Sequence, residues 1–208
     1  MDLDELVREW AFGWAVSRGT AMPVEVVEGL RVDVGRPGQV VRYVLPRYDV
    51  RVVPELAKRL EQTGSWLKVC AEPEVVREAL PAGWRVEPPE FLMSKSLSVV
   101  PEPQQTTYGV EVAGDGPLVE VRVVAADGEV AARGQGAFAR GAMTVDQVVT
   151  EPAHRRRGLG RTVMAALERA AVERGVDRGV LVATEDGLGL YGSLGWALDS
   201  PVTAAVRV

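Results

Sequence analysis

One cysteine and one histidine occur in this chain of 208 residues, and the scarcity of both narrows its chemistry. A lone Cys70 excludes an internal disulfide. Its setting, Trp66-Leu67-Lys68-Val69-Cys70-Ala71, reads as a buried strand, with no base nearby to make the thiol a nucleophile. His154 precedes Arg155 in a loop and reads as a surface residue rather than a base. No metal or redox cofactor is implied. An excess of basic residues is also missing: 24 Lys and Arg face 29 Asp and Glu, a net charge of −5. That balance argues against general affinity for nucleic acid or an anionic membrane. No apolar run approaches the ~20 residues needed to span a bilayer. The short apolar run Trp10 to Val16 is broken by glycine and preceded by Asp2, Asp4 and Glu5, so it does not read as a signal peptide. A soluble, reducing, cytoplasmic setting is expected. A hydrophobic content of 47% is that of an ordinary globular protein, enough for one large or two small domains with a real core.

Leu3, Leu6, Val7, Trp10 and Trp14 recur at helical spacing and predict a first helix ending near Gly19. Val24 to Val34 and Gln39 to Leu45 read as strands around the turn Gly35-Arg36-Pro37-Gly38, followed by a helix over Val53 to Leu60 and a strand over Trp66 to Ala71. A short helix at Glu74 to Leu80 comes next, then an extended run from Trp84 to Leu97 that Pro88-Pro89 must interrupt. After a Pro-rich, polar stretch the chain turns strand-rich: Tyr108 to Val112, Leu118 to Ala125, Glu129 to Ala139 and Met143 to Thr150. A helix over Arg161 to Arg174 and a short apolar strand over Val180 to Ala183 complete a βαβ unit. No internal repeat is evident. The expected organisation is an N-terminal α/β segment at 1–100, a linker at 101–107 and a second domain at 108–208.

Between the Val145 to Thr150 strand and that helix stands Arg155-Arg156-Arg157-Gly158-Leu159-Gly160. Two glycines let the backbone turn tightly, and the unpaired N–H groups of the helix start can face an anion such as a phosphate. The arginines add charge at the same corner. Two other phosphate-binding patterns fail on their letters. Gly160 is followed by Arg161-Thr162, without the lysine of a P-loop, and Val163 stands where a dinucleotide fingerprint needs glycine or alanine. Gly134-Gln135-Gly136-Ala137-Phe138-Ala139 fits a looser fingerprint, but no amphipathic helix opens from it, and it reads as a strand with glycines at a bulge.

About thirty residues past the glycine loop comes Tyr191-Gly192-Ser193-Leu194-Gly195-Trp196. Together, the Arg-x-x-Gly-x-Gly loop after a strand and the Leu-Tyr-x-x-Leu-Gly-aromatic segment resemble the GNAT superfamily of N-acetyltransferases. The resemblance covers the last hundred residues or so. It implies an α/β fold with a mixed central sheet and a βαβ cradle for acetyl-CoA, the co-substrate. Arg155, Arg156, Arg157, Gly158, Leu159, Gly160 and Arg161 would surround the pyrophosphate. Val148, Val149 and Thr150 would lie along the pantetheine arm, on a strand that splays from its neighbour; a strand fully paired within a continuous sheet is the plain alternative. Tyr191 would be the general acid that protonates the departing thiolate.

The sequence departs from the family pattern twice. Thr144 stands where histone-type members often carry a glutamate base. Asp146, two residues along the same strand and so on the same face, is the nearest carboxylate, with water as the other proton acceptor. The asparagine often found ahead of the tyrosine is missing, and Thr184 or Glu185 takes its place. The expected function is transfer of acetyl from acetyl-CoA to a primary amine by direct attack in a ternary complex. An acyl-CoA-binding regulatory domain without a base, and an acyltransferase with another acyl group or acceptor, are the alternatives. The resemblance also implies a first strand and two helices ahead of the second strand, the helices walling the acceptor site; residues 1–97 either supply them in altered form, or form an accessory domain, or are a diverged, empty copy of the fold with no second glycine loop.

Overall fold

Asp2 accepts a hydrogen bond from the Asp4 N–H at 3.2 Å and Gly19 turns the chain left-handed at φ 57°, so helix α1 (Leu3–Arg18) has a cap at each end. The structure is a computed structural model that describes residues 2–98 and 107–208. The linker expected at 101–107 lies, apart from Thr107, outside the described residues. After α1 come β1 (Val24–Val26), β2 (Gly29–Arg36), β3 (Gln39–Leu45), α2 (Val52–Arg59), β4 (Ser65–Val69), α3 (Pro73–Ala79), β5 (Trp84–Val86) and β6 (Glu90–Ser96). The later residues form β7 (Gly109–Ala113), β8 (Leu118–Val124), β9 (Val130–Ala139), β10 (Ala142–Thr150), α4 (Leu159–Glu173), β11 (Arg178–Thr184), α5 (Glu185–Ser193) and β12 (Ala197–Arg207).

One expected strand is two. Val24 to Val34 folds as the hairpin β1–β2, because Gly29 at φ 146° comes so near the Val44 carbonyl that a Cβ would lie 2.5 Å from its oxygen. The other expected elements form within a few residues of their limits, α5 and β12 are elements the sequence did not predict, and Pro54 sits in the first turn of α2, where its missing N–H costs nothing.

The strands make one mixed sheet in the order β1-β2-β3-β4-β12-β6-β11-β10-β9-β8-β7, with β5 pairing β12 beside this path. Two parallel pairs anchor it: β3 with β4 across α2, and β10 with β11 across α4. Each half gives its closing strand to the other. β6 pairs β11, with Arg178 opposite Ser96, while β12 pairs β4, with Thr203 opposite Val69, and β6 and β12 pair each other at the centre. The two halves therefore share a continuous sheet.

Alternation along the strands sorts side chains to two faces. Met143, Val145, Leu181 and Ala183 pack against Val163, Met164 and Leu167 of α4 on one face. On the opposite face Val180, Leu92 and Val44 pack under Leu6, Trp10 and Trp14 of α1, while in the N-terminal half α2 and α3 cover the face of β3 and β4 turned away from α1, at Val41, Tyr43, Leu67 and Val69. A fully buried Leu or Met contributes about 1.5–3 kcal/mol in apolar transfer, and α4 alone buries several. That packing holds its first turn firmly against the end of β10.

Candidate active site

β10 and β11 pair only from Met143 opposite Gly179 to Val145 opposite Leu181. Beyond that point β11 runs on to Thr184 bonded to β6, while β10 runs on to Thr150 bonded to β9. The two strands diverge and leave a wedge with unpaired β10 main chain on one side. A bulge between Asp146 and Val149 produces the divergence, with Gln147 at φ 55°. The glycine expected at a bulge lies across from it rather than in it: Gly134 faces the bulged residues, and a Cβ there would lie 2.6 Å from Val163 of α4. The parallel pair of the N-terminal half has no such gap. It pairs to the end, Leu45 opposite Val69, and the Cys70 N–H continues the ladder to the Leu45 carbonyl at 3.0 Å.

At the open end of the wedge the chain passes through Arg156 at φ 63° and Gly158 at φ 78°, with Arg157 at negative φ between them, before entering α4. Such alternation turns successive N–H groups inward as an anion nest. Thr162 is the first α4 residue whose N–H bonds back into the chain, to the Gly158 carbonyl at 3.1 Å. The amides of Leu159, Gly160 and Arg161 thus keep the free valence of a helix start. Beside Gly158 no atom lies within 4 Å of where a Cβ would be. Arg155 Nε donates to the Thr150 carbonyl at 3.3 Å, Arg157 Nη1 to the Tyr108 hydroxyl at 2.8 Å, and Arg161 Nη2 to Ser193 Oγ at 3.2 Å. His154 is not free on the surface: its Nδ1 meets the Tyr108 hydroxyl at 3.0 Å, and Glu129 flanks it.

Two cavities meet along the wedge. A groove of about 700 Å³ runs over Val148, Val149, Thr150, Arg155 and Arg156 to the α4 start, and a pocket of about 480 Å³ continues inward between Asp146 and Tyr191. Val148, Thr150, Gly160, Asp186 and Leu190 border both. Of the cradle residues expected from the sequence, Val148 to Thr150, Arg155, Arg156 and Gly158 to Arg161 border these cavities, whereas Arg157 borders neither. Thr184 lines the pocket and caps α5, its Oγ1 accepting from the Gly187 N–H at 3.3 Å. Glu185 does not border either cavity; its neighbour Asp186 borders both.

Tyr191 closes the inner pocket from α5, with its ring edge-on to Trp196 at 6.2 Å. Among the described residues nothing hydrogen-bonds to its hydroxyl. Burial pushes the phenol up to about 12, and the Asp146 carboxylate adds in the same direction, so it holds its proton at neutral pH. Asp146 faces Tyr191 from β10 with both oxygens occupied. Arg18 grips it in two places, Nε to Oδ2 at 2.6 Å and Nη2 to Oδ1 at 2.8 Å, while Ser17 Oγ and the Gln147 N–H add bonds at 2.8 and 2.9 Å. Thr144 is buried beneath α1 and donates to the Glu9 carbonyl at 3.2 Å.

The far wall comes from the N-terminal half: Trp10, Trp14 and Arg18 of α1, Arg42 of β3, Lys68 of β4 and Glu90 of β6. As site residues these are not visible in the sequence. Trp10 and Trp14 read as a helix's core face, and Arg42 and Lys68 stand in apolar strands, where a buried cation is the one available signal. Lys68 is ion-paired with Glu90; burial lowers its pKa and Glu90 opposes the shift. Burial also lowers Arg42, to about 10, against the pull of Glu90.

The sequence model of the acetyltransferase (GNAT) family matches residues 86–196, more than half of the chain. The chain belongs to this family. A GCN5-related N-acetyltransferase from Kribbella flavida, 17% identical, superposes with a TM-score of 0.63 over 94% of this chain and 93% of its own. A GCN5-related N-acetyltransferase-like protein from Streptococcus suis 89/1591, 14% identical, does so with a TM-score of 0.62 over 99% and 98%. A tandem GNAT protein from the clavulanic acid biosynthesis pathway is 13% identical, with a TM-score of 0.52 over 74% of this chain and 67% of its own. At these identities the likeness is one of fold, and in the first two it runs through both halves. No curated protein matches the chain. Among the described residues no helix of this GNAT protein is long and apolar enough to cross a membrane, and no cluster of three metal-ligating side chains occurs.

Proposed function

We propose that this GNAT protein transfers the acetyl group of acetyl-CoA to a primary amine by direct attack in a ternary complex. The observation that carries the reading is the wedge between β10 and β11 opening onto the free amides of the α4 start. In this reading the pyrophosphate lies on the amides of Arg156 to Arg161, and the pantetheine arm pairs with main-chain groups of Val148 and Thr150 as an added strand. A β10 N–H polarises the thioester carbonyl. Tyr191, protonated and without an intramolecular acceptor, donates to the departing thiolate. Asp146 positions Arg18 and the bulge rather than acting as the base, because the Arg18 guanidinium and the Gln147 N–H already engage both of its oxygens. Water then takes the proton of the amine.

The same reading makes residues 1–100 a diverged second copy of the fold. β3-α2-β4 repeats the order of β10-α4-β11, but its parallel pair stays closed and no glycine follows β3. That copy contributes walls and leaves cofactor binding to residues 108–208. Thr144, sealed under α1, favours the rival reading of an acyl-CoA-binding regulatory domain without a base. Calorimetric titration with acetyl-CoA, followed by a CoA-release assay on a panel of amines, separates the two. Binding with CoA release supports the transferase, binding without release on any amine supports the regulator, and absence of binding removes both.

A further inference from the structure

The wall that the N-terminal half gives the inner pocket carries three cations, and two of them are neutralised. Arg18 is held by Asp146 and Lys68 by Glu90. Arg42 is different. It is 5% exposed, and among the described residues it has no ion-pair partner. Its Nε reaches no acceptor, and its one hydrogen bond is a long contact of 3.4 Å from Nη2 to the neutral amide of Gln39. The guanidinium lies 4.2 Å from the centre of the Trp14 ring and 5.6 Å from that of Trp66. Those rings hold its plane in place and leave Nε without an acceptor.

A charge buried without an ion-pair contact is costly even where Glu90 acts on it from a distance, and a glutamine or methionine would fill the site without that penalty. Fixed guanidinium donors bordering a cavity match the fork of a carboxylate. One cation without an ion-pair partner suits a monoanion.

We infer that Arg42 receives a carboxylate carried by the acceptor, so that the substrate is a small amino-acid-like molecule. Its amine points to the wedge and its carboxylate to β3, with Trp10 and Trp14 against its apolar part. The inference rests on the acetyltransferase reading and names the class of acceptor.

Matched pairs test it: β-alanine against propylamine, phenylalanine against phenethylamine, and each amino acid against its amide. CoA release is measured with acetyl-CoA on the wild type and on Arg42→Gln. The acids are expected to exceed their partners in kcat/KM by about tenfold or more, as a charge-assisted bidentate pair allows, and Arg42→Gln to erase the preference, the acids losing more kcat/KM than their uncharged partners. Equal kcat/KM across the wild-type pairs, or a preference that survives Arg42→Gln, overturns the inference while acetyl transfer stands. Binding is read separately, by the melting midpoint of the acetyl-CoA complex titrated with the same compounds. If no amine is turned over, an upward shift by the acids that is lost in Arg42→Gln still supports the carboxylate site, and no shift overturns it. Without ligand, Arg42→Gln is expected to melt no lower than wild type, because it removes an uncompensated charge; a lower midpoint makes Arg42 a structural residue. Should that variant not fold, Arg42→Lys keeps the charge without the fork, and an undiminished preference there counts equally against the inference.

Discussion

Gly13 of α1 rests directly on Thr144 of β10, so closely that a methyl group on the glycine would occupy the space of the threonine side chain. This contact sets the depth of α1 against the sheet, and with it the positions of Trp10, Trp14 and Arg18 in the pocket wall. It also explains the missing glutamate: a longer side chain at 144 would meet the helix. Gly13→Ala should therefore act as an overpacking substitution, costing about 1–3 kcal/mol, or roughly 2–4 °C in melting midpoint per kcal/mol. Denaturant melts read the stability. In the CoA-release assay the acceptor KM should rise more than the affinity for acetyl-CoA falls, since α1 borders the inner pocket and not the outer groove.

Gly158 should prove indispensable to acetyl-CoA binding. At φ 78° any L side chain is strained, at a cost of about 1–3 kcal/mol, and its Cβ would project into the space beside the nest. Gly158→Val is expected to remove measurable acetyl-CoA affinity in calorimetry while the far-UV spectrum stays native. Gly160→Val, whose Cβ would lie 3.0 Å from Leu190, should weaken binding as well. Unchanged affinity in a folded Gly160→Val protein would rule the cradle out.

Tyr191→Phe removes only a hydroxyl that has no intramolecular partner, so stability and acetyl-CoA binding should hold. Turnover should fall by about 10²-fold or more, the contribution of a positioned acid. The folded value near 12 lies above the unfolded ~10, so burial of the neutral phenol stabilises fully below about pH 10, and this contribution is lost as pH rises toward 12. Accordingly, kcat should rise with deprotonation of the acceptor amine and show no descending limb from Tyr191 below about pH 11. A fall near pH 8 in wild type that Tyr191→Phe abolishes would contradict this assignment.

Asp146→Asn distinguishes positioning from proton transfer. As the anchor of Arg18 and Ser17, Asp146 should on substitution lower the melting midpoint and raise the acceptor KM, with the shape of the pH–rate profile retained. A base would show the opposite pattern, a kcat loss largest at low pH and partly recovered at high pH.

Cys70 should not react with disulfide reagents in the folded protein. It is buried, and burial pushes its thiol up to about 12, so almost no thiolate is present at neutral pH. One equivalent should react only after denaturation, which also keeps thiol-based detection of released CoA free of background.

The parts of this protein legible in its sequence are those that local rules specify. Gly158 and Gly160 at a strand-to-helix junction, the apolar spacing of α4 and the cap at Gly19 each depend on residues close in the chain, and the cradle and most elements follow from them. The gap beside β10 was an expectation from family resemblance, because no local pattern states where two strands part; the bulge at Gln147 does that through its contacts across the sheet. The exchange of β6 and β12 could not be read locally either. Strand order is a long-range property, and an apolar strand fits equally well beside several partners. Only that exchange, with α1 laid across both halves, brings Arg42 and Lys68 to the same hollow as Tyr191. Asp146 shows the difference most directly: its place on the Thr144 face follows from the two-residue period of a strand, whereas its engagement by Arg18 and Ser17 depends on a helix more than a hundred residues away in the chain.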